Sequence, residues 1–438
     1  MIIRTKLVHL IALATIALAI GGLLALTAPA LADHKPNHKP GGGGGEEPPP
    51  PADTGKIVFM RDLQTKRGAD NIKVLVVRDL ETSDETVLDP MFDFMKWPVW
   101  SHTGDVRWIL VSGVRDQSDP APLDTVGIWA IRENGEVPHP VLLHNEFGLF
   151  RPNGASLSRD DQWIAYNTFQ PGGRLNIFIQ RFDPVGGVIS ADSTPIQVLG
   201  FVIDDPDDPR DVTWSPDGLH LVFGALRPTE EDSFDVDLYR IDLQLDPFDP
   251  LGVDLMRVPN RAVILTQTDA VGERQPSYGV NGRVVFSRGS GVNFEGGTVH
   301  LNPNPDTPQD PLNPFDEKIV PGIRGNGFDW SPDATRIAFR SNGKGGAGTD
   351  VSVVSPDGNG LVNITDTSKI LENYPAWRPN EFVDCNDNGL DDSADIAQGF
   401  SADCNANGVP DECDIAGGMS LDCNANGVPD ECEIDPCP

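Results

Sequence analysis

From Lys56 to Asn380 apolar residues alternate with polar ones in short runs, and turns rich in glycine, proline, aspartate and asparagine separate the runs. Alternation of this kind predicts half-buried β-strands, and nothing in the region carries the spacing of an amphipathic helix. A longer period lies over the short one. An aromatic or apolar residue, a small residue, a turn and an apolar strand return in fixed order: VWSHTGDVRWILV from Val99, SLSRDDQWIAY from Ser156, TWSPDGLHLVF from Thr213, SYGVNGRVVF from Ser277 and DWSPDATRIAF from Asp329. A further copy, AWRPN from Ala376, stops after its turn. The anchors Trp100, Leu157, Trp214, Tyr278, Trp330 and Trp377 are spaced by 57, 57, 64, 52 and 47 residues, the length of one four-stranded sheet in a repeat architecture.

Two more strands are expected after each turn unit. The third-strand segments are KVLVV from Lys73, GIWAI from Gly127, NIFIQ from Asn176, DLYRI from Asp237, TVHL from Thr298 and DVSVV from Asp350. Fourth-strand segments follow as TVL from Thr86, PVLL from Pro140, IQVL from Ile196, AVIL from Ala262, KIV from Lys318 and LVNI from Leu361. The body also begins with DTGKIVF from Asp53, a strand lacking its aromatic turn, whereas AWRPN lacks its following strand. Joined in space these halves make one complete unit and leave no free sheet edge. The expectation is an all-β, six-bladed β-propeller over residues 55–380, closed by pairing of its first strand with its last.

The repeat has a local reason. In TWSPDGLHLVF, Pro216 fixes φ, Asp217 can bond its own backbone, Gly218 accepts positive φ and the Ser215 hydroxyl can cap the turn. Trp214 then offers a plate for packing one sheet on the next, worth roughly 2–3 kcal/mol on burial. Trp214-Ser215-Pro216-Asp217-Gly218 and Trp330-Ser331-Pro332-Asp333-Ala334, each followed by an apolar strand ending in Phe, resemble the repeat of TolB-like propellers. The resemblance covers about three quarters of the chain, with copies recognisable at Ser156–Tyr166 and Ala376–Asn380 and degenerate around Trp100 and Tyr278. It implies a periplasmic or secreted protein that binds other proteins, or the non-catalytic propeller of a serine peptidase.

Charge and the chain ends narrow the setting. Arg4 and Lys6, an apolar run from Leu7 to Leu26 and Ala30-Leu31-Ala32 before Asp33 read as a bacterial signal peptide cut after Ala32; a membrane anchor is the rival reading of the same run. No later segment is apolar enough to span a bilayer, so the mature chain is expected to have no membrane span. Residues 33–54, with HKPNHKP and runs of glycine and proline, form a linker in which His34 and His38 have no carboxylate or cysteine at ligand spacing. The formal charge is −33 with Lys and Arg at 33 against Asp and Glu at 66. Nucleic acid is excluded as a partner, because binding it requires a basic face.

All 6 cysteines lie beyond residue 384, in a tail of different composition. A unit of 19 residues repeats there: DCNDNGLDDSAD from Asp384, DCNANGVPDECD from Asp403 and DCNANGVPDECE from Asp422. Each copy places side-chain oxygens at positions 1, 3 and 5, glycine at 6 and an acid at 12, the pattern of a loop that wraps Ca2+ in oxygen. The expected ligands are Asp384, Asn386, Asn388, the Leu390 carbonyl, Asp392 and Asp395 in the first loop. They are Asp403, Asn405, Asn407, the Val409 carbonyl, Asp411 and Asp414 in the second, and Asp422, Asn424, Asn426, the Val428 carbonyl, Asp430 and Glu433 in the third. The loops resemble those of dockerin modules and other exported EF-hand-like repeats. They depart from that pattern in their short spacing and in aspartate rather than glutamate at Asp395 and Asp414, which points to weak, structural calcium sites. Disulfides are expected in an exported tail, and their pairing is open.

No GxSxG elbow or HExxH site occurs in the body, so catalysis is not indicated. His102, His139, His144, His220 and His300 are scattered, and Asp204 to Asp208 reads as a solvated charge run. Three roles remain: an exported binding or scaffold protein whose propeller face recognises a protein or glycan, a glycan-active hydrolase or lyase at the channel mouth, and a structural cell-surface component. The first is favoured, in the periplasm, at the cell surface or outside the cell.

Overall fold

The computed structural model describes residues 53–63, 72–88, 92, 94–114, 126–136, 138–169, 175–200, 205–226, 236–247, 254–266, 271–290, 293–300, 315–343, 348–367, 369–386 and 391–433. The signal segment 1–32, the linker to residue 52, His34 and His38, and the proposed ligands Asn388 and Leu390 lie outside the described residues.

Each turn unit folds as anticipated into an antiparallel meander. One sheet runs Phe94–Trp100, Trp108–Val114, Val126–Arg132, His139–Leu143. The next runs Phe150–Leu157, Trp163–Phe169, Leu175–Asp183, Ile196–Gln197, and another runs Asp207–Trp214, His220–Leu226, Val236–Leu245, Val263–Ile264. Both carry a short added strand that the sequence reading lacked, Val188–Ile189 and Leu255–Arg257. The remaining strands are hydrogen-bonded into one continuous run from Gly272–Tyr278 through Arg283–Ser290, Asn293–His300, Lys318–Trp330, Ile337–Asn342, Thr349–Val354 and Leu371–Trp377 to Lys56–Leu63, Ile72–Asp79 and Glu85–Val87.

Two features of that run matter. The segment KIV from Lys318 is not a strand of its own: it is the start of the long strand Lys318–Trp330, which pairs with Asn293–His300 at one end and Ile337–Asn342 at the other. The first strand pairs antiparallel with the last, Ile57 opposite Trp377 and Val58 opposite Ala376, as the two half-copies required. The inner strands Phe94–Trp100, Phe150–Leu157, Asp207–Trp214, Gly272–Tyr278, Lys318–Trp330 and Leu371–Trp377 touch one another in that order, and the last touches the first.

The core is divided in the same way. Each hydrophobic cluster draws on two neighbouring sheets; Trp377, for example, packs with Ile57 and Phe59 of its own sheet and with Ala338, Val351 and Val353 of the preceding one. Trp214 joins Trp163, Ile177 and Ile179 to Leu221, Phe223 and Tyr239. Three of the four anchor indoles also donate hydrogen bonds, whereas Trp330 Nε1 is buried without a partner among the described residues. Trp214 Nε1 reaches the Ser156 carbonyl at 3.2 Å and Trp100 Nε1 the Ala376 carbonyl at 3.0 Å, each on the preceding inner strand, and Trp377 Nε1 reaches Thr54 O at 3.2 Å.

Serine organises the turns. The backbone N–H of His220 donates to Ser215 Oγ at 2.9 Å and Ser215 donates to Asp217, while Leu219 N–H donates to Asp217 Oδ1 at 2.9 Å. The same set recurs at Ser331, Asp333 and Arg336, and at Ser158, Asp160 and Trp163. Asp329 works on a longer scale. Its buried carboxyl accepts from Ser277 Oγ on the preceding inner strand and from Trp377 N at 2.6 Å on the following one.

The tail adds two short helices, α1 (Asp392–Gln398) and α2 (Asp411–Gly417), each ended by a left-handed glycine, Gly399 or Gly418. Cys385 bonds to Cys413 in α2 and Cys404 to Cys432 in the short 3-10 turn Asp430–Cys432, both 28 residues apart, so each bridge ties one loop to the repeat that follows. Cys423 is disulfide-bonded as well. Helix α1 sits on the propeller: Ala394 is fully buried in the cluster of Val280, Trp330 and Ala334, and the buried Asp391 carboxylate pairs with Arg159 at 3.2 Å. Among the described residues no helix is long and apolar enough to cross a membrane.

Two outcomes follow. Burial raises the Asp329 carboxyl to about 6 from an ordinary aspartate's 3.8, against the pull of its donors. The folded chain therefore holds this proton between those values while the unfolded chain releases it, so its contribution to stability falls as pH rises from about 4 to 6. Asp329→Asn keeps the acceptor for Trp377 N and removes the titration; urea melts across that range should show the variant gaining on the wild type by on the order of 3 kcal/mol. Asp391→Ala strands the Arg159 guanidinium, and loss of a buried partner costs about 3–5 kcal/mol. Amide exchange of α1 should then accelerate while that of the propeller strands stays unchanged.

Candidate functional site

Every inner strand breaks its ladder at the same place. The residue three before each anchor has a left-handed backbone: Trp97 at φ 50°, Gly154 at 62°, Asp211 at 54°, Gln275 at 55°, Gly327 at 63° and Tyr374 at 56°. The strand registers shift at these points, as expected of β-bulges. Pro98, Pro276 and Pro375 follow three of these residues and leave no N–H to be orphaned at the bulge. All six bulge residues line a single cavity of about 240 Å³ enclosed by the inner strands.

Glycine adopts this backbone at no steric cost, whereas other residues pay about 1–3 kcal/mol each. A tryptophan at positive φ is a strong outlier. Four of the six bulges nevertheless carry a large or polar side chain. Two form an aromatic wall, with the rings of Trp97 and Tyr374 meeting edge to face at 6.0 Å and Lys96 Nζ 4.9 Å from the Trp97 ring. The other two form a polar wall. Gln275 N donates to Asp211 Oδ2 at 3.3 Å, and Gln275 Oε1 accepts from Ser287 Oγ and from Gly327 N, both at 3.1 Å. In the cyclic order of the inner strands the aromatic pair stands across the cavity from the polar pair, and Gly154 and Gly327 leave gaps between them.

Burial dominates the electrostatics. It pushes the Asp211 carboxyl up, although Gln275 N–H and the charges of Arg210, Arg274 and Lys96 oppose the rise. The Tyr374 hydroxyl is pushed up by burial and by Asp211, and Lys96 and Arg340 are pushed down by burial. Trp97 Nε1 is buried and has no partner among the described residues. Three of the cavity's serine hydroxyls are engaged in holding the fold: Ser156 accepts from Trp214 N, Ser277 bonds Asp329 and Ser331 bonds Asp333. At the turn end the cavity is lined by Arg159, His102, Ser331 and Pro332, the region on which α1 packs.

The tail loops gather the side chains the repeat singled out. In the second, Asn405 Nδ2 and Asn407 Nδ2 donate to Asp414 Oδ2 at 3.0 and 2.8 Å, and Asp403 accepts from Asn407 N and Gly408 N. Asp414 Oδ1 is buried and without a hydrogen-bond partner. In the third, Asn424 and Asn426 donate to Glu433 at 2.9 and 2.5 Å, and Asp422 accepts from Asn426 N and Gly427 N. In the first, Asn386 donates to Asp395 at 3.1 Å. A hard cation with oxygen ligands fits this convergence, because amide oxygen and nitrogen exchange on a flip. The position-9 acids also close the loops, since one oxygen of Asp392, Asp411 and Asp430 accepts from the N–H of Cys385, Cys404 and Cys423 respectively. Burial and the charges of Asp391, Asp384 and Asp395 raise the Asp392 carboxyl, a repulsion that a divalent cation relieves.

The scattered histidines hold structure. His102 bonds Asp161, His220 bonds Asp242, His139 meets Gly187 O and His144 accepts from Arg151 N, while the His300 side chain lies outside the described residues. The solvated reading of the Asp204–Asp208 run is corrected at Asp205, whose side chain is 5% exposed and held bidentately by Arg257 at 2.7 Å. The bulge ring was missed by the sequence reading. Its trace was a glycine three before the anchor, or a proline two before it, in five of the six repeats; Asp211 had neither.

No family model matches the chain, and no curated protein matches it. Among solved structures, TolB from Acinetobacter baumannii is similar with a TM-score of 0.50 and 16% identity, over 74% of this chain and 67% of that one. Kuenenia stuttgartiensis hydrazine synthase is similar with a TM-score of 0.50 and 13% identity over 76% of this chain, which spans 48% of that one. The β-propeller domain of the Trilobed protease from Pyrococcus furiosus is matched over 96% of its length at 10% identity and a TM-score of 0.41. The likeness to TolB shows the fold of the body, an all-β propeller of the TolB-like kind.

Proposed function

We propose that this chain is an exported binding and scaffold protein. Its body is a propeller of six blades, numbered by the six anchors and closed by the first strand. The propeller recognises an exported protein or a glycan. The tail is a calcium-binding cap that stiffens one face and serves as a spacer or attachment element. The observation carrying the binding role is the bulge ring, where four costly side chains are kept in a cavity that glycine would line more cheaply. The raised Asp211 carboxyl favours a second reading, a glycan-active hydrolase or lyase with Asp211 as acid. Loss of any glycan cleavage in Asp211→Asn would support that reading.

Calcium would be held by Asp403, Asn405, Asn407 and Asp414 in the second loop and by the matching residues of the others, and it would supply charge neutralisation and loop stiffness. Calorimetry should show a higher melting temperature with calcium than with chelator; a tenfold excess over Kd stabilises by about 1.4 kcal/mol per site. Asp414→Ala should remove the second loop's share while Cys385–Cys413 and Cys404–Cys432 persist. An identical melt with and without chelator rejects the calcium role. Affinity capture from the exported fraction with the intact chain tests the binding role, and retention of no protein or glycan over a denatured control rejects it.

A further inference from the structure

The chemistry of the ring narrows the ligand. Two aromatic rings line one side of the cavity, and a carboxyl and an amide line the other. An aromatic ligand would find stacking partners on one side but bring no polar group to the Asp211 and Gln275 side, and covering polar groups with apolar surface is costly. A peptide would bring backbone N–H and C=O groups needing several partners, which the aromatic wall does not supply. A sugar ring fits both walls: its C–H face lies on aromatics, and its hydroxyls donate and accept at once, matching a carboxyl and an amide. The unpartnered Trp97 Nε1 offers one more donor to a hydroxyl.

Helix α1 packs over the turn end, through Ala394 against Trp330 and Asp391 against Arg159. Arg340 lies near that ring, within electrostatic reach of Tyr374 and bonded to Asn326 at 3.2 Å. We infer that the bulge ring is a carbohydrate subsite that holds one pyranose residue between Trp97 and Tyr374 on one side and Asp211 and Gln275 on the other. This rests on the binding role proposed above and names its ligand class.

The test uses the full chain and tryptophan fluorescence or calorimetric titration with glucose, galactose, N-acetylglucosamine and glucuronate, each as free sugar and as methyl glycoside. Saturable binding of at least one is expected. Preference for the glycoside identifies the ligand as the end of a glycan, and preference for the free sugar as a monosaccharide. Asp211→Gly and Trp97→Gly, which reproduce Gly154 and Gly327, should weaken binding at least about tenfold while Asp211→Gly melts no lower than the wild type. Should a glycine variant fold poorly, Asp211→Leu keeps a filled site without polar atoms and should lose the same binding. Absence of saturable binding across the panel, or variants that bind like the wild type, overturns the subsite. If affinity capture still retains a protein partner, the binding role survives that failure; if capture fails too, both readings fall.

Discussion

The fold depends on one arrangement, the packing of a large apolar plate between each sheet and its neighbour. Trp377 shows it most fully: the indole fills the joint between the last-built sheet and the one before, and its N–H bonds Thr54 at the chain's entry. Trp214 and Trp100 add a hydrogen bond to the preceding inner strand. Burial is not directional, so it could hold sheets at many angles; the indole N–H bonds make the joint specific. Because each sheet is packed on both sides, no terminal sheet is left exposed once Ile57 lies opposite Trp377. Asp329 crosses two such joints at once, which is why its buried carboxyl is tolerated.

The same circular constraint creates the cavity. Inner strands that converge on an axis cannot keep a straight ladder and still leave room, and a bulge re-aims one residue of each. Where the bulge residue is Gly154 or Gly327 the geometry is relaxed. Where it is Trp97, Asp211, Gln275 or Tyr374 the backbone is strained and a side chain is gained in the cavity. Strain in one ring, at equivalent positions of separate strands, has a shared geometric origin; the choice of side chains in that ring has a chemical one.

The tail has too little apolar content to fold on a core of its own. Its order comes from cross-links of repeat to repeat, through Cys385–Cys413 and Cys404–Cys432, and from borrowing the propeller's surface at Ala394 and Asp391. The acid-rich loops therefore sit on a rigid base, and like charges are held near one another, as at Asp392. Helices α1 and α2 are short because each begins inside the loop, at Asp392 and Asp411, and ends on a left-handed glycine.

Much of the architecture was legible in the amino-acid order because its causes are local or periodic. Alternation marked the strands, Ser215-Pro216-Asp217-Gly218 specified its turn, and the half-copies at Asp53 and Ala376 implied that the ends meet. The tail's repeat was likewise visible, since side-chain oxygens and a glycine at fixed spacing need no distant partner. Only the tertiary structure decided the rest. That Trp97 and Tyr374 share a wall, that Asp205 meets Arg257, and that Asp391 closes on Arg159 are facts about residues far apart in sequence. The bulge residues carry no type in common, only a common place relative to the axis, and an axis exists once the ring has closed.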